Sequence, residues 1–317
     1  MRKIWMMMAT ALMLCGCVDE RADLGVTRAA ILYGEEAGNA DFGSVVALVI
    51  AGEKDGTKDY HAYCSGVLIA ENVVLTAAHC LVDDAGFPFG ELYSGNKIAV
   101  VADVDAGAPA AERVFEIERY RVNSDYDSLT NMNDIGVVWL RSAVGADVAR
   151  PLPVLTDFSK VKAIVDQKQD VSFVGFGVDE TGAYNKRRVW TGTLDKWCTE
   201  SWCTADGAKM PYGTVKSSLR DGGPCSGDSG GAVLFMMEGA QYVVGVTSYG
   251  DEKCEEFAIA TSVVAHQRWL NETLYPKKKN SGCVAMVRRY SGGFCDLLAI
   301  VLFLLGIFAI RKSTVRR

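Results

Sequence analysis

The sequence predicts an all-β fold, and two features support this prediction. Short apolar runs rich in Val and Ile are separated by clusters of Gly, Asp and Asn, and helical periodicity is scarce. Many short strands with frequent turns are typical of a β-barrel or a β-sandwich, and the pattern alone leaves these two open. The clearest predicted strands cover residues 45–50, 67–69, 73–75, 97–101, 135–140, 171–174, 232–235 and 242–246.

Composition and charge limit the possible partners. The 317 residues, 49% of them hydrophobic and 23% charged, allow one large globular domain or two small ones. A net charge of −6 at pH 7 argues against a nucleic-acid partner, because phosphate binding needs clustered cations. Ten cysteines in a chain with a predicted export signal indicate folding in an oxidising compartment.

The N-terminal residues predict export. Residues 1–17 carry two basic residues, an apolar run and the ending Leu-Cys-Gly-Cys, as a signal peptide does. That ending resembles a bacterial lipobox, in which Cys17 would be lipidated and would become the mature N-terminus. The alternative is a plain secretory signal. Residues 18–30 are short and polar, and we interpret them as a leader or propeptide.

The C-terminal residues predict a membrane segment. Residues 276–293 are interpreted as a linker, and the apolar run 294–310 is near the lower length limit for spanning a bilayer. The basic tail 311–317 would stay in the cytoplasm, with the folded domain outside. Ser291-Gly292-Gly293 before the run resembles the C-terminal sorting signals that a rhomboid-type protease removes in Gram-negative bacteria. The alternative is a permanent anchor. We therefore expect a periplasmic or cell-surface protein, membrane-associated or secreted after processing.

Three motifs carry the chemistry. They are Thr-Ala-Ala-His-Cys at 76–80, Asn-Asp-Ile-Gly at 133–136 and Cys-Ser-Gly-Asp-Ser-Gly-Gly at 225–231. A hydroxyl is a poor nucleophile until an imidazole takes its proton, and the imidazole needs a carboxylate to orient it and stabilise its charge. The candidates are Ser229 as nucleophile, His79 as base and Asp134 as carboxylate. Asp134 is preferred because an apolar strand follows it directly.

By these motifs, residues 31–275 resemble the trypsin and chymotrypsin family of serine endopeptidases. The resemblance implies two six-stranded antiparallel β-barrels with the active site in the cleft between them. His79 and Asp134 would come from the first barrel, and Ser229 from the second. A terminal helix is expected at 263–274, where apolar residues recur at helical spacing. The remaining histidines, His61 and His266, are interpreted as surface or packing residues.

The resemblance also implies roles for the residues around the nucleophile. The N–H groups of Gly227 and Ser229 would form the oxyanion hole. The glycines of this turn permit a tight bend of the backbone and a close approach of the substrate. Three disulfides are implied: Cys64–Cys80, Cys198–Cys203 and Cys225–Cys254. The family's equivalent of the second one closes a longer loop.

Activation by proteolysis is a further implication. In the family, cleavage frees an apolar N-terminus whose ammonium pairs with the Asp before the nucleophile. Ile31-Leu32-Tyr33-Gly34 resembles that N-terminus, so Ile31 and Asp228 are the expected pair and an activating protease is the expected partner. The residue before the cut is Ala30 rather than the usual Arg or Lys, so either the activator accepts alanine or it cleaves after Arg28 and trimming follows. The alternative is an ordinary first strand.

Substrate choice depends on few residues. Residues Ser248-Tyr249-Gly250 match the strand that pairs with an extended peptide. Gly223 stands six residues before Ser229, where trypsin-like members have an Asp, and Ala258 is placed on the pocket wall opposite Gly250. These residues predict an uncharged, small to medium apolar residue before the scissile bond. A basic preference would return if one of three nearby glutamates pointed inward, namely Glu252, Glu255 or Glu256.

The sequence therefore predicts an exported serine endopeptidase that hydrolyses proteins or peptides through an acyl-enzyme. It is expected to be made as a zymogen and to need no cofactor and no metal. The alternative function is that of a catalytically silent binding or scaffold protein of the same fold at the cell surface.

Overall fold

The structure is a computed structural model, and it describes residues 31–54, 56–83 and 97–276. The predicted signal peptide with Cys17, the leader, the apolar segment 294–310 and nearly all of the linker lie outside these ranges. Described residues up to Gln267 form one compact unit, and those from Arg268 form a second.

Sixteen strands make up most of the described chain. They are β1 Glu35–Glu36, β2 Val45–Lys54, β3 Thr57–Ala70, β4 Val73–Thr76, β5 Lys97–Val101, β6 Val114–Val122, β7 Gly136–Leu140, β8 Asp170–Gly175, β9 Arg188–Thr193, β10 Lys196–Trp197, β11 Trp202–Ala205, β12 Ala208–Pro211, β13 Thr214–Ser218, β14 Ala232–Met237, β15 Ala240–Gly250 and β16 Phe257–Ser262. The helices are α1 Asn39–Phe42, α2 Phe158–Asp166 and α3 Gln267–Leu274, with short 3-10 helices at Ala78–Cys80 and Ala111–Arg113.

The first half of the chain closes into an antiparallel barrel. Its six strands follow the order β2-β3-β4-β7-β6-β5, with β5 pairing back to β2. Apolar side chains fill the interior, among them Val46, Leu48, Leu68, Val74, Val100, Phe115, Val138 and Leu140. The expected all-β fold and a closed six-stranded barrel are thus confirmed.

The second half is a larger antiparallel sheet. It has eight strands in the order β1-β9-β8-β14-β15-β16-β13-β10, and it buries Val171, Phe173, Val215, Val233, Val244 and Ala260. The Cα atoms of β9 and β13 approach within 8 Å, as in a sheet that curls toward closure. The outer edges of these two strands instead bond to the two-residue strands β1 and β10. The half is consistent with the predicted second barrel, but its described strands do not bond into a ring.

The helices differ from the sequence prediction in two ways. The terminal helix begins at Gln267 rather than at 263, because Val263 still donates its N–H to the carbonyl of Val244 as an extension of β16. Helix α2 was not predicted, although Asp157 caps it by accepting from the N–H groups of Ser159 and Lys160. Within the described ranges, no helix combines the length and apolar character needed to cross a bilayer.

Candidate active site

The candidate base is held on a short, rigid segment. His79 lies in the 3-10 helix that follows β4, and its neighbour Cys80 forms a disulfide with Cys64 of β3. The Tyr63 hydroxyl donates a hydrogen bond of 3.1 Å to the carbonyl of Cys80. The backbone of His79 is therefore fixed to the wall of the first barrel.

The candidate carboxylate is fully buried and faces His79. Asp134 accepts from the backbone N–H of His79 through Oδ1 at 3.0 Å, and its Oδ2 is 2.8 Å from His79 Nδ1. The Ser248 hydroxyl donates to the same Oδ2. Because a carboxylate only accepts, His79 Nδ1 carries a proton and donates it to Asp134.

The electrostatics of Asp134 favour its ionised form. Burial acts to raise the pKa of this carboxyl, but the charge of His79 and the hydrogen bonds from His79 and Ser248 together hold the pKa below its usual value. Asp134 is thus a buried anion that bonds to the backbone and the ring of His79 and to the Ser248 hydroxyl.

The candidate nucleophile lies in a glycine turn that presses against the first barrel. The carbonyl of Ser229 accepts from the N–H of Ser65 at 2.8 Å and lies 3.5 Å from Cys80 Sγ. Gly230 has a φ of +77°, and a Cβ built on it would lie 2.0 Å from Thr76 Oγ1. The turn approaches this closely only because residue 230 has no side chain.

Two backbone N–H groups in this turn are those expected to form the oxyanion hole. Within the described ranges, the N–H groups of Gly227 and Ser229 donate to no acceptor. The Ser65 hydroxyl donates to the carbonyl of Gly227 at 3.0 Å and accepts from the N–H of Phe176 at 2.9 Å. Ser65 thereby braces the Gly227 peptide. The sequence carried no local signal for this role, since Ser65 and Gly227 are 162 positions apart.

Asp228 is a second buried carboxyl, behind the turn. Its oxygens accept from the N–H groups of Gly177 at 2.9 Å and Cys225 at 3.1 Å. Burial raises the pKa of Asp228 to about 7, although the two hydrogen bonds and the charge of Arg188 act in the opposite direction. A nearby cation would stabilise the ionised form of this buried carboxyl.

The segment that begins at Ile31 lies against the second sheet. Ile31 is fully buried. Leu32 and Gly223 exchange two backbone hydrogen bonds of 2.9 and 3.1 Å. The segment therefore joins the same loop that leads into the nucleophile turn.

A polar clamp, formed by Asp179, Glu180 and Arg188, holds the next two residues. Glu180 accepts from the N–H of Tyr33 at 3.1 Å, and Arg188 donates to the carbonyl of Gly34 through Nε at 3.2 Å and through Nη2. Arg188 also pairs with Asp179 at 2.8 Å. Sequence reasoning missed this clamp because the groups it joins are about 150 positions apart.

The residues assigned to substrate binding lie on neighbouring strands. Gly250 of β15 pairs directly with Ala258 of β16. Gly223 has a φ of +149°, and a Cβ built on it would meet Leu219 Cδ2 at 2.3 Å. The Tyr249 hydroxyl donates to the carbonyl of Lys209 at 2.8 Å, which ties this strand to the hairpin β11–β12. All three nearby glutamates, Glu252, Glu255 and Glu256, are exposed.

Disulfides join the three cysteine pairs that the family resemblance implied. They are Cys64–Cys80, Cys198–Cys203 and Cys225–Cys254. Three disulfides fit a protein that folds outside the reducing cytosol. In the described part of the chain, Cys64, His79 and Cys80 form a cluster with metal-ligand types, but the disulfide removes both thiolates as ligands.

Known proteins match the same region. Residues 31–270 match the family model described as Trypsin. A trypsin of Phaedon cochleariae is 29% identical over 225 residues, which cover 67% of this chain and 79% of the relative.

Longer relatives match over the same part of the chain. The CLIP domain-containing serine protease B15 of Anopheles gambiae is 27% identical over 68% of this chain, and human tissue-type plasminogen activator is 26% identical over 67%. The chain spans 62% of the length of the former and 39% of the latter. The family match covers well over half of the 317 residues, and the chain belongs to the trypsin family of serine endopeptidases.

Proposed function

We propose that this protein hydrolyses peptide bonds in proteins or peptides through Ser229, His79 and Asp134. The observation that carries the proposal is the contact of His79 Nδ1 with the buried Asp134, beside a nucleophile turn that lies against Thr76, Ala77 and Cys80. In this arrangement Asp134 orients the His79 ring, and Nε2 is the nitrogen that would act as the general base.

The reaction follows from these groups. Ser229 Oγ attacks the scissile carbonyl carbon while its proton passes to His79 Nε2, and the N–H groups of Gly227 and Ser229 stabilise the oxyanion. His79 then gives the proton to the departing amine, which leaves an acyl-enzyme. Water, deprotonated by His79, releases the acid and restores Ser229. Removal of one oxyanion donor would cost about 3 kcal/mol of transition-state stabilisation.

The test is labelling with a fluorophosphonate probe. Protein with Ile31 as its N-terminus should be labelled and should hydrolyse peptides, and the Ser229→Ala variant should do neither. Equal labelling of both proteins would refute the assignment of Ser229. If the wild type shows neither labelling nor hydrolysis, the chain is instead a silent binding or scaffold member of its family.

We also propose that the protein becomes active only after cleavage at Ala30–Ile31. The buried Asp228 lacks a full counter-charge, and the segment from Ile31 is already bonded to Gly223 and held by the polar clamp. An ammonium at Ile31 would supply a positive charge in this region. An activating protease that accepts Ala30 would then be the partner. Uncut protein should react with the probe far more slowly than protein that begins at Ile31.

We propose an uncharged, small to medium apolar residue before the scissile bond. Gly223 brings no charge to the expected pocket floor, and Leu219 fills the space next to it. The exposure of the three glutamates supports this reading over a basic preference. A peptide library cleaved by the active protein should yield mainly Ala, Val or Leu at that position. Dominant cleavage after Arg or Lys would overturn the assignment.

Export and attachment to a membrane complete the proposal. They rest on residues 1–17, with lipidation at Cys17, and on residues 294–310, with removal by a rhomboid-type protease. The three disulfides support export. Metabolic labelling with a fatty acid should be lost in Cys17→Ser. A chain that is truncated after residue 293 and also carries Cys17→Ser should appear in the soluble fraction of the cell rather than in the membrane fraction.

A further inference from the structure

His266 is a buried histidine whose two ring nitrogens both have partners. Its Nδ1 lies 3.0 Å from the carbonyl oxygen of Ser262, and its Nε2 lies 3.1 Å from Asn133 Oδ1. The ring occupies space that Gly213 leaves open, since a Cβ built on Gly213 would lie 2.8 Å from His266 Cε1. The contact with Asn133 joins positions 133 residues apart.

Asn133 is the residue directly before Asp134, and its backbone is unusual. It adopts a φ of +57°, in the left-handed region that residues with side chains seldom occupy. Its side-chain Nδ2 donates to the carbonyl of Asp125 at 2.8 Å, and its own carbonyl accepts from the N–H of Ile135. A left-handed Asn persists when its surroundings hold it. Here the holding contacts are Asp125 on one side and His266 on the other.

The chemistry of these groups sets the direction of each hydrogen bond. A backbone carbonyl only accepts, so Asn133 must turn its Nδ2 toward Asp125 and its Oδ1 toward His266. His266 Nε2 must then donate to Asn133, and Nδ1 must donate to the carbonyl of Ser262. Both nitrogens carry a proton only in the imidazolium form, and the neutral ring donates to one of its two partners.

Burial and the polar groups around the ring shift the pKa of His266 in opposite directions. The pKa of His266 lies below its ordinary value, because the effect of burial exceeds that of the hydrogen bond to Ser262 and of the negative charge of Asp134, which act to raise it. The negative charge of Asp134 stabilises the protonated ring of His266. The ring of His266 is thus coupled to the carboxylate of Asp134 in two ways, through its hydrogen bond to Asn133 and through the electrostatic effect of the Asp134 charge.

We infer that His266 is a positioning residue for Asp134: its ring holds the Asn133 side chain, and the left-handed turn at Asn133 presents the carboxylate to His79. This inference rests on the proposed function of the triad. His266 touches neither substrate nor reacting atoms, so it acts only through the geometry and charge of Asp134. Its loss should therefore lower kcat more than it changes KM, because Asp134 stabilises the imidazolium that forms during attack.

The kinetic test compares His266→Phe with Asn133→Gly, with the double variant and with a matched control. His266→Phe keeps a ring in the space beside Gly213 but removes both donors. Asn133→Gly tolerates the positive φ without strain and removes the acceptor, so it breaks the same contact without touching His266. The matched control is His61→Gln, which changes the exposed histidine of β3. The pH profile of kcat and KM is measured for each protein and for the double variant.

We expect His266→Phe and Asn133→Gly each to lower kcat about tenfold, with KM within about twofold of the wild type. The double variant should be no worse than either single one, because both remove one contact. His61→Gln should match the wild type. Additive losses in the double variant, or equal losses in kcat and KM, would overturn the inference. If His266→Phe does not fold, Asn133→Gly alone must show the selective loss in kcat.

A second measurement does not depend on activity. The chain has three histidines, so their ring nitrogens can be followed separately by nitrogen NMR in the inert Ser229→Ala protein. Asn133→Gly should lower the midpoint of the His266 titration by about one pH unit, since the imidazolium loses an acceptor. An unchanged midpoint would refute the contact. If the wild type proves inactive, the triad proposal fails while this measurement still decides whether His266 is coupled to the turn.

Discussion

Gly230 illustrates how a single missing side chain shapes the candidate site. It has a left-handed backbone, and its Cα faces Thr76 Oγ1 and the carbonyl of Ser65. The turn that carries Ser229 can rest against the first barrel only because this position is bare. Gly239, in the β14–β15 hairpin, has a similar φ of +81° but faces open space.

We expect Gly230→Ala to destabilise the fold by about 2 to 4 kcal/mol, because it adds overpacking to backbone strain. Gly239→Ala carries the strain without the overpacking and should cost about 1 kcal/mol. Thermal or urea unfolding of both variants measures the difference. Equal losses of stability would show that the turn does not need close contact at Gly230. Gly230→Ala should also lose fluorophosphonate labelling, since Ser229 must shift.

At the scale of elements, the loop between β8 and β9 links the segment that begins at Ile31 to both halves of the domain. On one side, the polar clamp holds Tyr33 and Gly34. On the other, Asn185 accepts from the N–H of Ala62 at 2.7 Å, and Lys186 pairs with Asp105 at 2.7 Å. The loop thus connects the residues that follow the proposed cut to the wall of the first barrel.

Replacement of Arg188 tests the clamp. Arg188→Met keeps the length of the side chain but removes its bonds to Gly34 and Asp179, so the segment from Ile31 should dock less well. We expect kcat/KM of the cut protein to fall about tenfold, as for loss of a hydrogen bond to a charged group. The Ile31 amine should also become more reactive toward cyanate.

The matched control is Arg141→Met, which breaks an exposed pair with Glu116. A surface pair of this kind contributes little, so activity and stability should stay near those of the wild type. If Arg188→Met behaves like this control, the clamp has no part in activation.

At the scale of the whole molecule, Asp228 couples the stability of the uncut protein to pH. Its pKa in the fold is about 7, above the value of 3.8 for an exposed Asp, so the folded state binds the proton more tightly than the unfolded chain. Between about pH 4 and pH 7 the unfolded state loses this proton first, and the stability of the fold therefore falls as pH rises. Above about pH 7 this contribution is fully lost. An ammonium at Ile31 would counter the loss by stabilising the carboxylate.

The measurement uses the inert Ser229→Ala protein, uncut and with Ile31 as its N-terminus. We expect Tm to fall between pH 5 and pH 8 by several degrees more in the uncut form than in the cut form. Asp228→Asn should remove most of that difference. Equal pH dependence of the two forms would argue against an ion pair between Ile31 and Asp228.

Much of the fold was predictable because it depends on local patterns. The eight predicted strands fall on β2, β3, β4, β5, β7, β8, β14 and β15. Strands β6, β9 and β13 escaped prediction because charged or small polar side chains interrupt their apolar pattern, as Lys216 does in the buried β13. The open edge of the second sheet was equally hidden, since it depends on two-residue strands that only their partners stabilise.

The sequence by itself determined the chemistry of the candidate site. Nucleophile, base and carboxylate require particular residue types, and each stands in a motif of a few adjacent residues. Only the tertiary structure decided what supports them: Ser65 beneath Gly227, Arg188 on the segment that begins at Ile31 and His266 behind Asn133. These supports are single polar side chains whose partners lie more than 100 positions away. A side chain of this kind has no local pattern, because its role is defined only when folding brings its partner within hydrogen-bonding distance.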